Sequence, residues 1–184
     1  MKRIFIAIRT EPFGDLTRMI STARSLLGAE RIRWVDPGNM HITLAFLGDT
    51  AEKRIGTVSS VIEQVCTGYG KFEFKLSRMG VFKNIKDPRV VWVGIDPKEK
   101  LEILSSKITE GLVHNGFHFE QRRFNPHLTI GRINMLNDRE ALKKLLASHE
   151  TTEFQKVEAR EVILFESILM QTGPLYKQIG KFSL

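Results

Sequence analysis

The sequence predicts an α+β fold in which one unit of strands and helices occurs twice. Short β-branched and aromatic runs alternate with longer stretches whose apolar residues recur at helical spacing. The order strand, helix, strand, turn, strand, helix, strand appears in residues 1–86 and again in residues 87–184. No long linker separates the copies, so we expect a single domain spanning 1–184, made of two lobes with pseudo-two-fold symmetry and a groove between them.

The elements of the first half follow from periodicity and turn residues. Gly28 should end the first helix, and Asp49 or Thr50 is a candidate N-cap for the second. The predicted strands are 4–8, 32–35, 40–47 and 72–76. The first predicted helix is 15–27. The second extends to residue 65 and has its apolar face at 55, 58, 61, 62 and 65.

The second half repeats this order. Pro97 suits the first turn of a helix, and Asn137 or Asp138 can cap the next one. The predicted strands are 90–95, 117–123, 127–133, a strand-rich region at 154–170 and a closing strand at 176–182, and the first predicted helix is 97–115.

Composition and charge narrow the class of protein. The 184 residues carry a formal net charge of +7, which favours anionic partners such as RNA, DNA or phosphorylated small molecules. Cys66 is the only cysteine, so no internal disulfide can form, and it should be a small buried apolar residue in a reducing compartment. No apolar window approaches the roughly 20 residues of a membrane helix. We therefore expect a cytoplasmic monomer with no membrane contact.

The third strand of each half carries the same four-residue signature. It is His41-Ile42-Thr43-Leu44 in the first half and His127-Leu128-Thr129-Ile130 in the second. Because strand side chains alternate between faces, each His and Thr share one face while the apolar residues point into the core. A lone histidine on a strand is more often structural, but two copies at matched positions favour a site facing one groove.

The paired residues suit cleavage of a phosphodiester. Such a reaction needs a base for the nucleophile and an acid for the leaving oxygen, and histidine can serve as either near neutral pH. Threonine hydroxyls can donate to the non-bridging oxygens. The sequence has no His-Glu-x-x-His segment, cysteine cluster, Walker-type loop or nucleophile elbow, so we expect neither a metal nor another cofactor.

The two segments resemble the signature of the 2H phosphoesterase superfamily, and most closely its RNA 2′,3′-cyclic phosphodiesterase branch, also called the 2′-5′ RNA ligase family. The matching text is residues 40–48 and 124–132, supported by 3–8, Trp34 and 88–94. The resemblance implies antiparallel sheets around a central cleft with helices outside. It implies hydrolysis of 2′,3′-cyclic phosphate RNA ends to 2′-phosphates, with 2′-5′ ligation in some relatives.

The resemblance also implies roles that the residues alone leave open. By it, His41 is the proton donor and His127 the proton acceptor, although the two motifs are nearly equivalent. Arg132 matches a family arginine that could contact the phosphate, yet strict alternation places it opposite His127 unless a bulge at Gly131 re-aims it. Phe46 has the same parity problem and is more readily a core residue than a platform for an RNA base.

Several other residues have two interpretations. Arginines precede both motif strands, and they either bind RNA phosphates or form a solvated face; these are Arg31, Arg33, Arg122 and Arg123. Trp34 and Trp92 should pack in the core. The remaining histidines, His114, His118 and His149, should lie on surfaces or helix ends.

Two alternative functions stay open at this point. The first is an RNA-binding module of the same fold without turnover, which the basic charge would suit but which has no need for paired His and Thr. The second keeps the chemistry and changes the substrate to small cyclic nucleotides, such as cyclic phosphates of ADP-ribose, or to 2′-5′ oligoadenylates.

Overall fold

The computed structural model describes residues 1–119, 124–171 and 173–184. Within these ranges the chain forms nine strands and four α-helices. The strands are β1 (Lys2–Arg9), β2 (Arg31–Trp34), β3 (His41–Thr50), β4 (Phe72–Lys83), β5 (Pro88–Asp96), β6 (Leu128–Met135), β7 (Glu153–Ala159), β8 (Glu161–Met170) and β9 (Gly173–Ser183). The helices are α1 (Gly14–Leu26), α2 (Ile55–Cys66), α3 (Glu99–His114) and α4 (Arg139–Ser148).

The strands form two antiparallel sheets, which confirms the α+β prediction. Sheet A has the order β3-β1-β8-β9, and sheet B has the order β2-β6-β5-β4-β7. Strands β3 and β6, which carry the two signatures, occupy corresponding places beside β1 and β5. Each half of the sequence supplies strands to both sheets, since β2 and β4 join sheet B while β8 and β9 join sheet A.

The two faces of sheet A have different neighbours. On β1, Ile4, Ile6 and Ile8 pack into the main apolar cluster, which includes residues of both sheets and all four helices. Phe5 and Ala7 point the other way and form a small separate cluster with residues of β8. Alternation along one strand therefore divides a face that contacts the helices from a face that is left for the cleft.

Two helices begin later than the sequence predicts. Helix α2 starts at Ile55 after a short 3-10 turn, and Asp49 and Thr50 belong to β3, so the predicted side-chain cap is wrong. Helix α3 starts at Glu99, so Pro97 precedes the helix instead of lying in its first turn. The Asp138 cap of α4 is confirmed, because its carboxylate accepts from the backbone N–H of Ala141.

The predicted strand at 117–123 is not formed in its described part. Residues 117–119 adopt no regular structure, and residues 120–123 lie outside the described residues. The second repeat therefore has no described strand between α3 and β6, although β2 occupies that place in the first repeat.

Two further predictions concern the burial of the single cysteine and the absence of a membrane-spanning helix. Cys66 is buried in the core as predicted, and burial raises the pKa of its thiol to about 12. None of the helices in the described ranges has the length and apolarity required to cross a membrane.

Gly80 on β4 allows an aromatic ring to lie against the strand. A Cβ at this position would overlap the ring of Trp92 on the neighbouring strand. We expect Gly80→Ala to lower the free energy of unfolding by about 1–3 kcal/mol, the usual cost of overpacking, in urea unfolding. The control is Gly56→Ala, because that position in α2 has open space and alanine favours helix. Equal stability of the two variants would contradict this packing.

Candidate active site

A cavity of about 910 Å³ lies where the two motif strands face each other. Its lining includes all four signature residues, namely His41, Thr43, His127 and Thr129. The apolar partners of these residues, such as Ile42 and Leu128, are fully buried on the opposite face. Strand alternation thus brings the two signatures to one cavity, as the sequence analysis expected.

His41 is held in one orientation by backbone and aromatic contacts. Its Nδ1 lies 2.7 Å from the carbonyl oxygen of Asn39. A carbonyl only accepts, so Nδ1 carries the hydrogen and Nε2 is left for the cavity. The imidazole packs 4.8 Å from the ring of Phe5 and meets the ring of Tyr176 edge-on at 5.1 Å, measured between ring centroids.

His127 has the same arrangement in the other sheet. Its Nδ1 lies 2.7 Å from the carbonyl oxygen of Asn125, two residues earlier, as in the first motif. The ring of Phe82 on β4 meets the imidazole at 81° with 4.8 Å between centroids. In both imidazoles Nδ1 is therefore occupied and Nε2 is left for the cavity, and both rings are fixed by the carbonyl of the residue two positions before them.

The surroundings lower the pKa of both histidines. Burial is the main cause of the lowered pKa of His41, opposed by its bond to the Asn39 carbonyl, and the positive charges of Arg132 and His127 lower it further. Burial also lowers the pKa of His127, again opposed by a backbone bond and assisted by Arg132. One guanidinium thus acts on both imidazoles, and the two imidazoles are close enough to interact.

A β-bulge in β3 changes the alternation just after Thr43. Thr43 pairs with Ala7 and Ala45 with Ile6, so Leu44 is an extra residue between them. Leu44 and Ala45 are both buried, and the next residue, Phe46, turns to the cleft face. The core placement expected for Phe46 is therefore wrong: its side chain is 51% exposed and lines the cavity.

Strand β6 has a bulge at the corresponding position. Thr129 pairs with Trp92 and Gly131 with Val91, so Ile130 is the extra residue. Arg132 consequently lies on the cleft face and lines the cavity. The bulge expected near Gly131 is present one residue earlier, and it makes Arg132 the counterpart of Phe46.

The carbonyl group at each bulge is satisfied in a different way. The buried Ser105 of α3 donates its hydroxyl to the Leu44 carbonyl at 2.6 Å. The Ile130 carbonyl instead accepts from the backbone N–H of Val35 at 2.9 Å. Strand β3 is the edge of sheet A, so a helix side chain bonds this carbonyl, whereas in sheet B the donor is the residue that follows β2.

Several cavity residues were missed in the sequence analysis. Tyr176 contacts His41, and burial raises the pKa of its hydroxyl, opposed by the charges of Arg132 and Arg3. The β8–β9 hairpin adds exposed apolar side chains, including Leu169 and Leu175. These residues have no motif of their own. The repeated Asn two positions before each His was the one available signal.

The tryptophans differ from their expected core positions. Trp34 is partly buried against the main cluster and also lines the cavity. Trp92 is only half-buried, packs against Phe82 at 5.4 Å between centroids, and lies outside the main cluster. The side-chain N–H of Trp92 is buried without a partner among the described residues. Trp92 therefore supports the ring that contacts His127.

The arginines that precede the motif strands divide into two groups. Arg33 lines the cavity, and Arg31 is exposed on the same strand. Arg122 and Arg123 lie outside the described residues.

The other histidines follow the prediction: His114 ends α3, His149 follows the last residue of α4, and His118 is exposed.

Metal-ligating side chains do not gather at this site. Across residues 1–119, 124–171 and 173–184, no three His, Cys, Asp or Glu side chains form a group that could hold a metal ion. The polar side chains that line the cavity include two imidazoles, three guanidinium groups, the carboxylate of Asp36 and the hydroxyls of Thr43, Thr129, Ser167 and Tyr176.

A family comparison agrees with this duplicated arrangement. The model of the LigT-like phosphoesterases matches the chain twice, over residues 6–92 and 93–176, with one signature in each match. The chain belongs to the LigT-like phosphoesterase family. Membership confirms the resemblance to the 2H superfamily that the paired signatures indicated.

Curated relatives of this LigT-like phosphoesterase are similar over most of their length. An RNA 2′,3′-cyclic phosphodiesterase of Methanothermobacter thermautotrophicus is 33% identical over 154 residues, which are 84% of this chain and 83% of that protein. A protein of the same name from Archaeoglobus fulgidus is 29% identical over 180 residues, covering 98% and 99% of the two chains.

Solved structures share the fold. A protein of Thermus thermophilus superposes with a TM-score of 0.82 at 22% identity, covering 99% of this chain and 97% of that one. LigT of E. coli, crystallised with 3′-AMP, gives 0.76 at 21% identity and covers 100% and 98%. At these identities the comparison establishes the two-sheet architecture alone.

Ser105 offers a direct test of the bulge in β3. Removing its hydroxyl leaves the buried Leu44 carbonyl unpaired, so we expect Ser105→Ala to lower the free energy of unfolding by about 1–3 kcal/mol. Ser106 is its exposed neighbour on the same helix, and Ser106→Ala should change stability by less than about 0.5 kcal/mol. Urea unfolding measures both. Indistinguishable midpoints would show that Ser105 does not stabilise the bulge.

Proposed function

We propose that this chain is an RNA 2′,3′-cyclic phosphodiesterase that forms 2′-phosphate ends by acid–base catalysis with two histidines and no metal. The observation that supports it best is the matched geometry of the two imidazoles, each with Nδ1 donating to a carbonyl and Nε2 left for one cavity. The names of the curated relatives support the same substrate. The cytoplasmic location and monomeric state stay predictions.

The proposed reaction uses one histidine on each side of the phosphorus. Neutral His127 accepts a proton at Nε2 from the attacking water, and a new bond forms between phosphorus and the water oxygen. The bond between phosphorus and the 3′ oxygen breaks, and protonated His41 donates its Nε2 proton to that oxygen. The products are a free 3′ hydroxyl and a 2′-phosphate. The assignment of donor and acceptor follows the family resemblance.

Other cavity residues have supporting roles in this proposal. Thr43 and Thr129 donate hydrogen bonds to the non-bridging oxygens, where charge accumulates. Arg132 attracts the phosphate through its guanidinium. Phe46 offers a half-exposed ring for a nucleobase. The ring is held by Phe5, 6.3 Å away between centroids, and by the Arg3 guanidinium, 5.3 Å from the Phe46 centroid.

A binding protein without turnover accounts less well for the site. Phosphate affinity requires only the guanidinium groups and hydroxyls, whereas two half-buried imidazoles with lowered pKa values add nothing to anion binding at neutral pH. Two imidazoles that face one cavity from opposite sheets instead provide the acid and the base that phosphodiester cleavage requires.

Replacement of either histidine tests the proposed function directly. We expect His41→Ala and His127→Ala each to lower kcat/KM on a short RNA with a 2′,3′-cyclic phosphate end by at least about 10²–10⁴-fold, the usual contribution of a general acid or base. His114→Ala is the matched control, because that histidine is exposed at the end of α3. Near-normal rates in either cavity variant would contradict the mechanism.

Arg132 should set the pH range of activity as well as bind phosphate. Its positive charge disfavours both imidazolium forms, so Arg132→Gln should raise the pKa of His41 and of His127. Both limbs of the bell-shaped profile of kcat/KM should then move to higher pH, and NMR titration of the ring protons should report the same direction. Lys144→Gln, an equal loss of charge on α4, should shift neither. An unmoved profile would contradict this coupling.

A further inference from the structure

Strand β2 carries two arginines beside the strand that holds Arg132. Arg33 pairs directly with Arg132 across β2 and β6 and lines the cavity. Arg31 is two residues earlier and exposed like Arg33. It lies at the irregular start of β2, where the pairing with β6 shifts register between Arg31 and Ile32 and the Ile32 N–H donates to the Glu30 carbonyl. Because β2 is the edge of sheet B, these three arginines extend from the cavity to the outer edge of the sheet.

Two carboxylates flank β2 in the sequence, Glu30 and Asp36. Asp36 lines the cavity with Arg33 and accepts from the backbone N–H of Gly38. Like charges directly opposite each other on neighbouring strands destabilise a sheet, and Arg33 and Arg132 have this arrangement. No carboxylate of the described residues forms an ion pair with Arg31 or Arg33. Glu30 instead accepts from the backbone N–H groups of Asn137 and Asp138, at 2.6 and 3.1 Å.

Fixed positive charge of this kind suits an anion with several phosphates in a row. Alternate residues of a regular strand lie roughly 6.8 Å apart, so Arg33 and Arg31 provide two separate positive charges along β2. A single cyclic phosphate between the histidines would reach Arg132, whereas Arg31 lies outside the cavity lining. An anion that contacts both Arg132 and Arg31 must therefore extend beyond one nucleotide.

We propose that Arg33 and Arg31 bind the backbone phosphates of the nucleotides that precede the terminal cyclic phosphate, so that β2 guides single-stranded RNA out of the cavity. This inference rests on the proposed function and deepens it, because it makes the preferred substrate an oligonucleotide instead of a mononucleotide. Arginines on an edge strand can also simply prevent edge-to-edge pairing, and that structural role would leave substrate preference unchanged.

The test compares two substrates in matched variants. The substrates are 2′,3′-cyclic AMP and an RNA pentamer ending in a 2′,3′-cyclic phosphate, and the variants are Arg31→Gln, Arg33→Gln and the control Lys144→Gln. We expect the ratio of kcat/KM for the pentamer to kcat/KM for cyclic AMP to fall about tenfold in each arginine variant, as for a lost charged hydrogen bond. The ratio should not change in the control.

The salt dependence of RNA binding gives a readout that needs no turnover. Fluorescence anisotropy of a labelled pentamer ending in a 2′-phosphate reports its dissociation constant at several salt concentrations. The slope of log affinity against log salt should decrease by about 0.7 in each arginine variant, the value for one lost contact on a single strand. It should stay at the wild-type value in Lys144→Gln.

The outcomes separate this proposal from the proposed function. Turnover of both substrates with an unchanged ratio and slope in the arginine variants would overturn the role of β2 and leave the phosphodiesterase standing. No turnover of either substrate by the wild-type protein would overturn the phosphodiesterase. In that case the anisotropy slopes would still decide whether Arg31 and Arg33 bind RNA.

Discussion

The bulge that follows each histidine and threonine decides which side chains meet in the cleft. Without it, strict alternation would send Phe46 and Arg132 to the buried face, where an arginine is costly. Each bulge places two consecutive residues on the core side, Leu44 with Ala45 and Ile130 with Gly131, and so brings the following residue to the cavity. The carbonyl of the extra residue is bonded in both sheets, by the hydroxyl of buried Ser105 at Leu44 and by the backbone N–H of Val35 at Ile130.

The two repeats also differ in the residues that surround their histidines. The corresponding positions after the bulges hold Phe46 in one sheet and Arg132 in the other, so an aromatic surface lies opposite a positive charge. His41 packs among aromatic rings that include Phe5 and Tyr176, whereas His127 meets Phe82. Identical backbone bonds fix both rings, and unlike neighbours then distinguish them.

The sequence predicted most of the strands and the shared face of each His and Thr in the two signatures, because period-two alternation is encoded locally. It failed where the answer depends on contacts between distant segments. Phe46 was placed in the core because a bulge is specified by pairing with β1 and by Ser105 on α3, neither of which is adjacent in sequence. Tyr176 was missed because its position beside His41 depends on how β9 pairs with β8. The distribution of strands between the two sheets is equally non-local.

The most direct test of the account is the identity of the product in the presence of a chelator. A short RNA ending in a 2′,3′-cyclic phosphate is incubated with the pure protein and EDTA, and the position of the terminal phosphate is then mapped by NMR. Two histidines that act through Nε2 on a bound cyclic phosphate, without a metal, should give a 2′-phosphate at an undiminished rate. Loss of turnover with EDTA, or a 3′-phosphate product, would contradict the account.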